Sequence, residues 1–306
     1  MKLPKIKLFE NMSKIKKTIF ISVVAVLLLI SAFSIFVLIK SKNNSNEIIV
    51  RYDEMTDEEK ATVDFITAMQ DKKYEDNPDY VGELIFDSNL INAPLVQAQD
   101  FIRKDGTSYY AFYSDTGDYV DFVSKDNGCN GRACTPNDIY VRMDWQTMQY
   151  SGWGSNFIDY RCYLSDKNII IYGHHVTGAN QAFSKLENLL LEGNYENNKT
   201  FKLFLNNEQR SYEIVAVYIC DIETEDVNYA YHLYMNSNEN LYKNSEFNQK
   251  YNEFLKNKQL YDTGLSIKDG DNLVTLSTCV DHEDTSNNPK YREIVIARET
   301  ERKIIK

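Results

Sequence analysis

Apolar residues in this chain come in three kinds of run, and each predicts a different element. One is unbroken: from Ile19 to Ile39 no residue is charged, and Val, Leu, Ile and Phe dominate. A run of about 20 such residues suits the hydrocarbon core of a bilayer. Others recur at helical spacing. Thr56-Asp57-Glu58-Glu59 reads as a capping box, and Ala61, Phe65, Ala68 and Met69 follow on one face, which predicts a helix to about Lys72. Gln181–Leu191 reads as a short helix. Asn238–Lys258 reads as a longer amphipathic one, with Leu241, Phe247, Tyr251 and Phe254 as core contacts. The third kind is short and β-like: Val81–Phe86 and Ile91–Val96 around an Asp87-Ser88-Asn89 turn, then Tyr109–Tyr113, Asn168–Tyr172, Thr200–Leu205, Tyr212–Cys220, Asn272–Leu276 and Arg292–Ala297. Many short strands parted by turn signals predict a barrel or a sandwich.

Charge turns the first run into a topology. Six lysines precede it (Lys2, Lys5, Lys7, Lys14, Lys16, Lys17), and only Lys40 and Lys42 follow closely. This bias predicts a cytoplasmic segment at 1–18, a transmembrane anchor at 19–39 and an extracellular remainder. A cleaved signal peptide is the competing reading, but the run exceeds a typical h-region and no Ala-x-Ala-like site follows it. Residues 40–55, polar from Ser41 to Glu47, read as a tether, leaving 56–306 as one catalytic domain. Residues 1–42 carry +7 while the whole chain carries −11, so the remainder is strongly acidic and unsuited to nucleic acid or anionic lipid.

The five cysteines are Cys129, Cys134, Cys162, Cys220 and Cys279. Cys129-Asn130-Gly131-Arg132-Ala133-Cys134 has the length and the glycine to close a small disulfide loop, and a Cys162–Cys220 bridge is a second option. The alternative is free thiols throughout, and in either case Cys279 is expected to be free.

Cys279 matters for its context. Asn272–Leu276 runs on through Ser277 and Thr278 and delivers this cysteine to a strand end, as Ile169-Ile170-Ile171-Tyr172-Gly173 delivers His174. Tyr291-Arg292 opens a third such run. A thiol is a strong nucleophile once ionised, an imidazole can protonate a departing amine, and a guanidinium can donate to a developing oxyanion. Each residue alone is weak evidence, since cysteine is often just a small buried apolar side chain. Their combination at three strand ends carries the argument. Adjacent histidines in extended chain point to opposite sides, so His174 and His175 should divide between the site and solvent. His282 lies in the acidic loop Asp281–Asp284 and reads as solvated. No paired ligand spacing supports zinc on His174, His175 and Cys279, so no metal or other cofactor is expected.

Motif by motif, the chain resembles the class B sortases from about Asp64 to its C-terminus. The resemblance is carried by Asn77-Pro78-Asp79-Tyr80-Val81-Gly82, Ile91-Asn92-Ala93-Pro94-Leu95-Val96-Gln97 and Gly154-Ser155-Asn156-Phe157-Ile158-Asp159-Tyr160-Arg161. It is strongest at Tyr172-Gly173-His174 and Thr275-Leu276-Ser277-Thr278-Cys279, and the helix near 238–258 between late strands is a hallmark of the class. Two features depart from the pattern: the stretch from Tyr119 to Gly152, and Glu83 where the family often has tryptophan.

The resemblance implies a closed, mostly antiparallel β-barrel of about eight strands with an N-terminal helix and a long inserted helix. It implies a membrane-anchored extracellular transpeptidase. Cys279 attacks the threonine carbonyl of a C-terminal sorting signal, His174 and Arg292 assist, and an amine of peptidoglycan or a pilin resolves the thioester. Ser277 and Thr278 would shape the substrate groove, and Asp281 either orients a neighbour or is a solvated loop acid. A tethered cysteine peptidase that only hydrolyses is the alternative enzyme, although papain-like enzymes place Cys before His. A surface binding domain with a structural Cys279 is the non-catalytic alternative.

Overall fold

A computed structural model describes residues 47–101, 112–113, 119–120, 134–175, 183–205, 207–224, 245–280 and 290–305. The expected anchor at 19–39, Cys129 and the Asp281–His282 loop lie outside these residues. Among the described residues no helix is long and apolar enough to cross a membrane.

Eight strands close a barrel: β2 (Tyr80–Phe86), β3 (Asn92–Val96), β6 (Asn156–Ile158), β7 (Asn168–Tyr172), β8 (Thr200–Leu205), β9 (Glu208–Asp221), β10 (Leu273–Cys279) and β11 (Tyr291–Ile305). Their order is β11-β10-β7-β6-β3-β2-β8-β9, closed by pairing of β9 with β11. Closure leaves these strands no free edge along their shared length. Two neighbours run parallel, β10 with β7 and β3 with β6, and the other barrel pairs are antiparallel. The expected β-hairpin turn is present, with Asn89 at φ 61°, a left-handed conformation that asparagine tolerates better than most residues. Of the expected strand at Tyr109–Tyr113, only β4 (Phe112–Tyr113) is described, and it pairs with β5 (Tyr119–Val120) in a separate ladder.

Alternation along the strands sorts two cores. Val274 and Leu276 of β10 join Val295 and Ala297 of β11 with Leu84, Leu95 and Leu203 inside the barrel. The alternate residues Leu273, Ile294 and Ile296 face out and pack with Tyr251 and Leu255 of the late helix α4 (Ser245–Lys258), which comes after the short α3 (Glu192–Asn198) in the chain. Of the expected core contacts, Tyr251 is buried and Phe254 packs partly buried against the same cluster, while Leu241 lies outside the described residues. The early helix α1 (Asp57–Asp76) runs a turn beyond the expected Lys72 and stops before Asn77-Pro78, where proline disfavours helical geometry in the residue ahead of it.

One expectation is corrected here, and one departure finds its structural basis. Residues 47–50, read from polarity as tether, form β1 (Glu47–Val50), parallel to the C-terminal half of β11. Ile48-Ile49-Val50 is a β-branched run, but it is only three residues long and directly follows the polar stretch; the unpaired edge of β11 gives it a partner. Glu83, the departure on β2, is 1% exposed because it is neutralised inside: Lys73 of α1 forms an ion pair with it, and the Tyr80 hydroxyl donates to it at 2.7 Å. The Lys73 ammonium also sits 5.4 Å over the Trp145 ring, so a tryptophan from elsewhere covers this strand.

Candidate active site

Strand pairing brings three ends level. β7 and β10 run parallel in register from Leu273↔Asn168 to Ser277↔Tyr172. One residue further, the Gly173 N–H donates to the Ser277 carbonyl at 3.2 Å, and the Thr278 hydroxyl donates to the Gly173 carbonyl at 2.8 Å. The next step in that register sets His174 level with Cys279. On the other side β11 returns antiparallel, and its pairing with β10 begins at Cys279↔Arg292. Directly paired residues share a face of the sheet at a Cα separation of about 4.5–5.5 Å. Glycine at 173 is a requirement, because a Cβ there would lie 2.4 Å from Asn156 Oδ1 and 2.5 Å from the Phe183 ring. Any side chain would push the histidine segment off the barrel.

The His174 ring is mostly buried, and its Nε2 lies 2.6 Å from the Val141 carbonyl. A carbonyl only accepts, so Nε2 carries the proton and Nδ1 is the basic nitrogen of the neutral ring. Burial holds the His174 pKa below its ordinary value, the hydrogen bond to Val141 opposes that, and the nearby Arg142 and Arg292 cations add to the lowering. A neutral imidazole at pH 7 is thus available as a base at Nδ1.

His175 diverges from His174 as the extended backbone requires, but it does not face solvent. Its side chain is 4% exposed, and its Nε2 meets Glu187 Oε2 at 2.8 Å. Ser277 and Thr278 are likewise buried, at 1% and 2% exposure. The Thr278 side chain points to the lumen and braces Gly173, so it holds two strands together instead of lining a groove. Ser277 shares the outward face of Cys279. Arg298, opposite Leu273, joins Glu213 at 3.5 Å and the Ser266 carbonyl at 3.2 Å.

Val141 and Arg142 were missed by reading the sequence. They end α2 (Asn137–Val141), inside the stretch from Tyr119 to Gly152 that the sequence reading did not place. A local signal existed: in Thr135-Pro136-Asn137-Asp138 the Asp138 carboxylate accepts from the Thr135 N–H and hydroxyl at 2.7 and 2.9 Å, a turn that starts a helix. Asp159, fully buried at the end of β6, ties this helix to the barrel through Asn137 and Tyr172, each donating at 3.1 Å. Burial pushes the Asp159 carboxyl up, but the hydrogen bonds and charge of Arg161 outweigh it and hold the group below the usual carboxylate range.

Cys134 is disulfide-bonded. Cys162, Cys220 and Cys279 are free, so the Cys162–Cys220 bridge does not form. The one remaining cysteine of the sequence, Cys129, lies outside the described residues. Burial pushes the Cys162 thiol up to about 12, which makes it inert. Cys279 is only half-buried. Beside β3 and the start of β6 a cavity of about 480 Å³ opens between Pro94, Trp145, Trp153, Asn156 and Lys185.

Comparison with known proteins gives one consistent result. A family model described as the sortase domain matches residues 137–300. A curated sortase B of Staphylococcus aureus (strain NCTC 8325 / PS 47) is 29% identical over 167 residues, which is 53% of this chain and 61% of that protein. The chain thus spans less than two thirds of that relative's length. Among solved structures, the Staphylococcus aureus sortase B–substrate complex superposes with a TM-score of 0.54 at 20% identity, covering 77% of this chain and 86% of that one. Clostridium perfringens sortase B gives 0.53 at 23% identity, covering 76% and 99%. At these identities the superpositions speak for the fold alone.

Proposed function

The chain belongs to the sortase family, whose members are cysteine transpeptidases, and on that premise we propose that it cleaves a C-terminal sorting signal after threonine and transfers the acyl group to an amine. The observation that carries this reading is the alignment of Cys279, His174 and Arg292 at three adjoining strand ends.

In this mechanism His174 Nδ1 takes the thiol proton, and the Cys279 sulfur attacks the threonine carbonyl. Arg292 donates to the oxygen as it becomes an anion. The imidazolium returns its proton to the departing amine, which leaves a thioester on Cys279. An amine of a peptidoglycan precursor, or a pilin lysine, then attacks the thioester, neutral His174 takes the proton that the nitrogen loses, and the Cys279 thiolate leaves. Ser277, buried beside Cys279 on the same face of β10, helps shape the groove from behind. The unbroken apolar run at 19–39 and its lysine bias support single-pass anchoring, with the barrel outside the cell.

Mass spectrometry after incubation with a sorting-peptide library tests the reading. Wild-type protein should form a thioester and, with an added amine, a peptide adduct. Cys279→Ala should form neither while keeping its fold. Acid as the sole product with amine present would mean a hydrolase, and a thioester in the alanine variant would remove Cys279 from its role.

A further inference from the structure

Behind the site, the barrel wall holds a carboxyl that the mechanism does not use. Glu293 follows Arg292 on β11 and pairs across the sheet with Thr278 on β10 and Ile219 on β9. Alternation aims its side chain into the lumen, in line with Val295 and Ala297. The residue is fully buried, and neither carboxylate oxygen has a hydrogen-bond partner. Buried polar groups are nearly always satisfied, so this exception calls for an explanation.

The groups around Glu293 come from four elements. β9 offers the apolar Ile219, and β10 offers the Thr278 hydroxyl, which is committed to Gly173. The loop after α4 brings Tyr261, which feels the Glu293 charge and whose hydroxyl donates to the Leu189 carbonyl at 2.6 Å. The 3₁₀ segment Ser184–Leu190 brings Glu187, the carboxylate that holds His175. Burial and the Glu187 charge push the Glu293 carboxyl up to about 8, so it is largely uncharged at pH 7. Two contacts steady the Gly173–His175 segment, Thr278 to Gly173 and Glu187 to His175; Glu293 pairs across the sheet with Thr278 and feels the charge of Glu187.

We propose that Glu293 is a positioning residue: its uncharged carboxyl keeps the segment carrying His174 in step with the end of β10, and its ionisation releases that segment. An anion at this place would have no donor and would oppose Glu187. Relief comes from moving Glu187 outward, where it is already half exposed, or from letting water into the barrel end. The first move loosens His175, and the second weakens the Thr278–Gly173 clamp. The inference rests on Cys279 and His174 carrying the reaction. Because the folded carboxyl titrates above its unfolded value, the stability it contributes is complete in acid and is lost as pH rises from about 4.5 to about 8.

The test compares the full-length protein with Glu293→Gln and Glu293→Leu, neither of which can ionise, across pH 5–9.5. Three readouts are followed: peptide turnover, alkylation of Cys279 by iodoacetamide, and Tm. Turnover of wild type and the Gln variant should agree near pH 6. Above pH 8 the ratio of variant to wild type should climb about tenfold per pH unit, the behaviour of a group required in its protonated form. Alkylation corrects both curves for titration of the thiol itself, and the second variant serves if the first is poorly folded. The Tm of wild type should fall relative to both variants between pH 5 and 8 and then level. A flat turnover ratio overturns the proposal even if the Tm values diverge, because the carboxyl then titrates without reaching the site. If no form turns over peptide, the transpeptidase reading fails by itself. Parallel Tm and alkylation curves for wild type and variants would then separately overturn the role of Glu293.

Discussion

Arg292 and Arg298 lie on the same strand, and the structure predicts opposite consequences for losing them. Arg292 pairs directly with Cys279, its Nη1 donating to the Tyr291 carbonyl at 2.9 Å, and the proposed mechanism has its guanidinium donate to the oxyanion that forms at the thiol. Arg298 pairs with Leu273, six residues along β10 from Cys279, a displacement of about 20 Å at roughly 3.3 Å per residue. That is beyond side-chain reach and beyond the Debye length of about 8 Å at physiological salt. Removing one preorganised oxyanion donor costs about 10²–10³ in kcat, about 2.7–4 kcal/mol. Arg292→Ala should therefore lower kcat by that factor with the fold intact. Arg292→Lys should recover little, since an ammonium does not reproduce the planar fork. Arg298→Ala should leave kcat unchanged and cost up to about 1 kcal/mol of stability through its ion pair with Glu213. Steady-state peptide turnover and thermal unfolding on the three variants decide the matter. Equal losses in kcat at the two positions, or a larger loss at Arg298, would refute the argument from register.

Three further outcomes follow from the packing around the site. The His174 imidazole should titrate below its ordinary value in an NMR pH series, and Arg292→Ala should move the midpoint upward by removing a nearby cation; no movement would place the guanidinium elsewhere. Lys73→Met should be strongly destabilising, by about 3–5 kcal/mol, because it leaves the Glu83 carboxylate buried without its cation, and adding Glu83→Gln should recover part of the loss in a denaturation assay. A chain beginning at Glu47 should fold and turn over peptide. One beginning at Thr56 should melt several degrees lower with kcat unchanged, because β1 pairs with residues 302–305, far along β11 from Arg292.

Reading the chain residue by residue located the strands that bear the chemistry. Ile169–Tyr172 and Leu273–Cys279 are unbroken apolar and β-branched runs, and such runs become buried strands wherever the chain places them. The polar breaks after them put His174 and Cys279 at strand ends, and the register of α4 aromatics was legible from a helical period alone. What those ends meet is a non-local matter. His174 and Cys279 are more than a hundred residues apart, and only the parallel pairing of β7 with β10 sets them level. A slip of one residue would turn every side chain of a strand to the opposite face. The Val141 carbonyl that orients His174 comes from a short helix with little apolar pattern, and the β-branched Ile48-Ile49-Val50 of β1 finds its partner only at the open edge of β11. Glu293 shows the division most clearly. In the sequence it is simply the acid that follows Arg292. Closure of the barrel turns that position inward and strips it of solvent, which makes an ordinary carboxyl into a buried and uncharged one.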